Sequence, residues 1–113
     1  MSAPAVPTPA PQLSQGNAIE YKAFVRKFFD IGAGTLFVMA SCYYDIGGMT
    51  IFFETDGSGQ LSLMELPPSG EFTHLVTAYV TSWTNAFNPD TEPKHLTIVD
   101  GHGTHTVHVK PWD

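Results

Sequence analysis

Asn17-Ala18-Ile19-Glu20-Tyr21-Lys22-Ala23-Phe24-Val25-Arg26-Lys27-Phe28-Phe29-Asp30-Ile31 is the stretch whose reading decides the fold class. Tyr21, Phe24, Val25 and Phe28 recur at i, i+3, i+4 and i+7, the period of an amphipathic helix. Glu20, Lys22, Arg26, Lys27 and Asp30 take the opposite face. Asn17 with Glu20 three residues on forms an Asn variant of the capping box, and Gly32 and Gly34 end the segment. The pattern predicts one N-terminal helix whose aromatic stripe needs a sheet to lie on.

The residues after Gly34 supply that sheet. Leu36 to Tyr44 is apolar on both faces and reads as a central strand with one face under the helix. Gly47-Gly48, Asp56-Gly57-Ser58-Gly59 and Pro67-Pro68-Ser69-Gly70 are turn signals. They separate strands expected at Met49 to Glu54, Gln60 to Leu66 and Phe72 to Phe87. Asn88 to Pro93 reads as a loop, and Pro111 as a stop. Short connections favour an antiparallel meander of about six strands. The expected class is α+β, a roll or half-open barrel, with an all-β barrel as the alternative. Residues 17–113 read as one domain. Residues 1–16, rich in Pro and Ala, read as a disordered or extended tail, with a docking arm as the alternative.

Composition narrows function by exclusion. Charged residues make up 14% of the 113 residues, well below the usual quarter or so. Such a surface suits a β-protein that hides part of itself in a homo-oligomer. A net charge of −6 with five Lys and Arg argues against nucleic acid and anionic membranes, whose binding needs clustered basic residues. The single Cys42 forbids an internal disulfide and suits a reducing compartment. No apolar run is long enough to span a membrane, and no signal-peptide pattern opens the chain. The expected compartment is cytoplasmic.

Four of the five histidines lie in His95-Leu96-Thr97-Ile98-Val99-Asp100-Gly101-His102-Gly103-Thr104-His105-Thr106-Val107-His108-Val109, two alternating runs around a Gly-rich turn. Pairing Val99 with Thr104 pairs His95 with His108 on a polar face. Leu96, Ile98, Val107 and Val109 form the apolar face, with His105 among them. Opposed residues are close enough for His95 and His108 to share a metal ion. Asp90, Glu92 or His74 would have to supply a third ligand. The plainer alternative is two solvent-facing neighbours.

A second candidate is the strand carrying Thr77, Tyr79, Thr81, Trp83 and Asn85 on one face. Tyr79 and Trp83 there suit sugar stacking or a second subunit, or else simple cross-strand packing. Val76, Ala78, Val80 and Ser82 form the small apolar face expected under the helix. A third candidate is a small-molecule pocket between helix and sheet, lined by Phe24, Phe28, Tyr43, Tyr44 and Phe52, with a histidine as acid–base group. No residue pattern names a cofactor, and no nucleophile–base–acid trio stands out. The expected function is a non-enzymatic self-associating or partner-binding module; a small-molecule binder or simple enzyme is the alternative.

Two short resemblances remain. Glu54-Thr55-Asp56-Gly57-Ser58-Gly59-Gln60-Leu61-Ser62-Leu63-Met64-Glu65 resembles the calcium loop of the EF-hand family. The resemblance implies ligands at Glu54, Asp56, Ser58, the Gln60 carbonyl and Glu65, with Gly59 at the sharp turn. Glu54 replaces the usual Asp, and Gly47-Gly48 and Pro67-Pro68 interrupt the flanking helices such a loop needs, so the segment is read as a β-hairpin, which needs no ligand. Gly101-His102-Gly103-Thr104-His105 is similar to the catalytic-histidine motif of subtilisin-like serine proteases. The match spans five residues, no nucleophile segment accompanies it, and the residues are assigned to the hairpin turn.

Overall fold

The computed structural model describes residues 12–28, 31–56, 60–70 and 73–112. Its elements are strands β1 (Ser14–Gln15), β2 (Glu20–Phe28), β3 (Ala33–Tyr44), β4 (Thr50–Thr55), β5 (Gln60–Leu66), β6 (Thr77–Phe87), β7 (His95–Asp100) and β8 (Gly103–Pro111), plus a 3-10 turn at Pro89–Thr91. They form one sheet ordered β1-β5-β7-β8-β2-β3-β6, with β4 added on β5. The sheet curls into a half-barrel, and Tyr79 on β6 reaches the chain entering β4: its Oη donates to the Ile46 carbonyl (2.8 Å) and accepts from Met49 N–H (3.1 Å).

The expected α+β class is therefore corrected. Glu20–Phe28 is a strand, hydrogen-bonded to β3 along its whole length from Glu20↔Ser41 to Phe28↔Ala33. Its inward side chains are Tyr21, Ala23 and Val25, at period two; Glu20, Lys22, Phe24, Arg26 and Phe28 look outward. Tyr21 and Val25 satisfy both periods, so the helical pattern rested on Phe24 and Phe28. Phe24 is apolar yet outward because Trp112 covers it, rings 5.6 Å apart and edge-on. Arg26 lies over the Phe28 ring at 5.1 Å. Gly32, read as a helix stop, sits at φ 63° in the β2–β3 connection; helix ends and tight hairpins both recruit a glycine at positive φ.

The antiparallel meander is corrected as well. The sheet is mixed: β2 runs parallel to β8 through Ala23–Val25 and Val109–Pro111, and β5 parallel to β7 through Gln60–Ser62 and Thr97–Val99. β8 makes both halves continuous, pairing with β7 over Gly103–His108 and then with β2. The core lies on the concave side, where Val38, Ala40, Cys42, Leu63 and Ile98 are buried. Among the described residues no helix covers the outer face of β3, and Met39 and Tyr43 are exposed there. Of the expected tail, Ser14–Gln15 pairs with Glu65 and Met64 of β5, and residues 1–11 lie outside the described residues.

The calcium-loop framework is also replaced. β4 and β5 pair directly from Thr50↔Leu66 to Thr55↔Leu61, so strands stand where the two helices of an EF-hand would be. Glu65 sits within β5 and accepts from Ser14 Oγ at 3.3 Å. Gly57, Ser58 and Gly59 lie outside the described residues.

Candidate functional site

β2 and β8 touch only over three residues each. Before that contact they diverge, and the fork leaves a groove of about 510 Å³ between Glu20–Phe24 on β2 and His105–His108 with Lys110 on β8. The base of the fork is bridged by side chains. Tyr21 Oη donates to Asp100 Oδ2 at 2.5 Å across 79 residues of sequence. His105 Nε2 lies 2.8 Å from Asp100 Oδ1, and the Tyr21 and His105 rings are 5.6 Å apart.

The hairpin geometry explains how this cluster forms. Asp100 and Gly103 close a two-residue turn over Gly101-His102. Asp100 Oδ1 accepts His102 N–H at 2.8 Å, the side-chain-to-backbone bond of an Asx turn. Gly103 takes φ 121°, a conformation open to glycine. Register places His105 opposite Ile98, so Asp100 is its diagonal neighbour on the inward face.

Asp100 is 2% exposed, and burial alone would raise its pKa. The donors from Tyr21, His105 and the His102 backbone outweigh that penalty and hold the carboxyl below its ordinary 3.8. The Tyr21 phenol is driven far above its ordinary 10.0, by burial first and by the bond to Asp100 second. An ionised carboxylate only accepts hydrogen bonds, so His105 Nε2 is the donor. Nδ1 is then the remaining polar atom of a side chain that is 38% exposed and lines the groove. Lys22, Lys110, His108 and Glu20 line the same groove from the outward faces of β2 and β8, and Lys22 Nζ lies 3.8 Å from Glu20 Oε1. This is a histidine oriented by a buried acid, on the wall of a groove whose outer rim carries two lysines and one glutamate.

The residues singled out from sequence are placed as follows. His95 and His108 are paired, ring centroids 4.9 Å apart. Among the described residues no third His, Cys, Asp or Glu gathers with them; Glu92 instead binds Lys27 at 2.9 Å and Lys94 at 3.7 Å. The β6 alternation holds, but its faces are exchanged: Tyr79 and Trp83 point inward and pack on the core, while Val76, Ala78, Val80 and Ser82 are exposed. Trp83 lines a second cavity of about 320 Å³ with Leu36, Leu61, Phe87 and Leu96, His95 at its edge. The expected helix–sheet pocket loses its helical wall, because Glu20–Phe28 is a strand. Phe24, Phe28 and Tyr43 lie on the outer face, Tyr44 bonds Asn17 N–H at 3.0 Å inside, and Phe52 lies on the face opposite buried Phe53.

Asp100 and Tyr21 were missed. Asp100 carries a readable signal: extending the β7 alternation from Leu96 and Ile98 puts it on the inward face. Tyr21 carries none, because its partner is reached through a parallel pairing between the chain's two ends. No helix among the described residues is long and apolar enough to cross a membrane. No family model, no curated protein and no solved structure matches the chain.

Proposed function

We propose that this protein binds a small anionic molecule in the fork between β2 and β8. The observation that carries this is the Asp100-held His105 on the wall of the 510 Å³ groove. A buried acid fixing a histidine tautomer is how proteins present an imidazole to a ligand. Lys22 and Lys110, two of the chain's five Lys and Arg, line the groove of a protein of net charge −6, with Glu20, 3.8 Å from Lys22, as the one carboxylate there. Local positive charge in an acidic protein favours a carboxylate- or phosphate-bearing ligand. The volume is within the range of small-molecule sites.

The test is a panel of small mono- and dicarboxylates and sugar phosphates, titrated against isotope-labelled protein. Amide shifts confined to Glu20–Phe24 and His105–Lys110, lost in a Lys22→Glu/Lys110→Glu double variant, support the reading. Shifts mapping elsewhere, or none across the panel, refute it.

A second reading, self-association, is favoured by the outer face of β6 and β3. β6 carries no charge and no proline over eleven residues, exposed Val80 lies diagonally from Tyr43 and Met39 on the outer face, and Leu75 and Val76 just before the strand are exposed too. Exposed apolar side chains gathered on an uncharged strand favour an interaction surface. Sedimentation of the wild type and Val80→Lys tests it. A concentration-dependent dimer dispersed by the substitution is the expected result, and a strict monomer at high concentration removes the reading.

A further inference from the structure

We infer that His95 and His108 form a site for an imidazole-seeking divalent transition ion such as Zn²⁺, with water completing its shell. Val109 N–H donates to the Lys94 carbonyl at 2.9 Å, so Lys94 and Val109 are a hydrogen-bonded pair of the hairpin. The next pair inward, His95 and His108, is therefore a non-hydrogen-bonded pair, the kind in which side chains approach most closely. Their ring centroids are 4.9 Å apart. A tetrahedral ion about 2.0–2.1 Å from one nitrogen of each ring puts the two ring centres about 5 Å apart. The observed spacing matches without moving either strand.

The donor set selects the class of ion. Two imidazoles with no carboxylate suit Zn²⁺, Ni²⁺ or Cu²⁺ and not Ca²⁺ or Mg²⁺, which take oxygen ligands. Both histidines are exposed, so water reaches the remaining positions. The site also has a particular place in the fold. It lies at the open end of the hairpin, where β8 leaves β7 and Val109–Pro111 turns to β2. An ion there staples the branch point from which the groove opens, and His108 belongs to that groove's lining.

The experiment titrates Zn²⁺ into the wild type, His95→Asn, His108→Asn and His102→Asn, following imidazole resonances and thermal unfolding. All three substituted side chains are exposed, and circular dichroism checks that each variant keeps its sheet. The expected result is a shift confined to the His95 and His108 rings and a rise in Tm, both abolished by either His95→Asn or His108→Asn and retained in His102→Asn. Equal shifts at all five histidines, a response surviving either single substitution, or no response at millimolar Zn²⁺ overturns the assignment. No anionic ligand is present in the titration and His95 is not among the groove's lining residues, so the outcome is distinguishable from that of anion binding.

Discussion

Asp100 closes the turn, accepts from Tyr21 and holds His105, all through one buried carboxylate. Replacing it with Ala leaves the Tyr21 hydroxyl and His105 Nε2 without an acceptor and costs about 2–3 kcal/mol, measured by denaturant unfolding. Asp100→Asn keeps the shape but loses the charge, and its cost is smaller. The pH dependence has a definite sign. The carboxyl is held below its ordinary 3.8 in the folded state, so below that value the unfolded chain takes up the proton first. Its contribution is complete above the ordinary carboxyl range and is lost as pH falls through the lowered folded value. The difference in stability between wild type and Asp100→Asn is therefore expected to shrink as pH drops below about 4, and a constant difference would contradict the assignment. Cys42 is buried beneath the sheet, and burial, then the charges of Glu65 and Asp100, push its thiol up to about 11. It is a small core residue, inert to thiol reagents while the sheet is intact.

At the scale of elements, the hairpins were legible and the first strand was not. β7 and β8 announce themselves by strict alternation around glycines, so their register was readable to the residue. β2 failed because alternation is a reliable signal only when one face meets water. Here Phe24 on the outer face is covered by Trp112, and Trp112 in turn packs on Phe37 at 5.3 Å. An apolar outer face spoils period two and mimics the helical stripe. β6 failed in a different way: the period was right, but which face looks inward depends on the curl of the sheet. The β3–β6 pairing carries its own test. Gly34 lies opposite Phe87, and a Cβ at position 34 would come within 2.6–2.9 Å of three atoms of that ring. Gly34→Ala must displace Phe87, with an expected loss of about 1–2 kcal/mol. Unchanged stability in thermal unfolding would mean that the ring does not rest on the glycine.

Over the whole molecule, β8 is the joint. It pairs with β7 beside it in sequence and with β2 from the other end of the chain, and the gap between those pairings is the groove. Parallel contacts between distant segments leave no local mark, which is why the groove and the Tyr21–Asp100 bond were invisible in the sequence while His95↔His108 was not. The central claim is that Asp100 fixes His105 as a donor through Nε2, leaving Nδ1 as its remaining polar atom at the wall of the fork. The most direct measurement is the pair of ¹⁵N shifts of the His105 imidazole, in the wild type and in Asp100→Asn, at a pH where the ring is neutral. The wild type is expected to show a protonated Nε2 and bare Nδ1, with that preference lost in the variant. A protonated Nδ1 in the wild type, or a tautomer indifferent to Asp100, would contradict it.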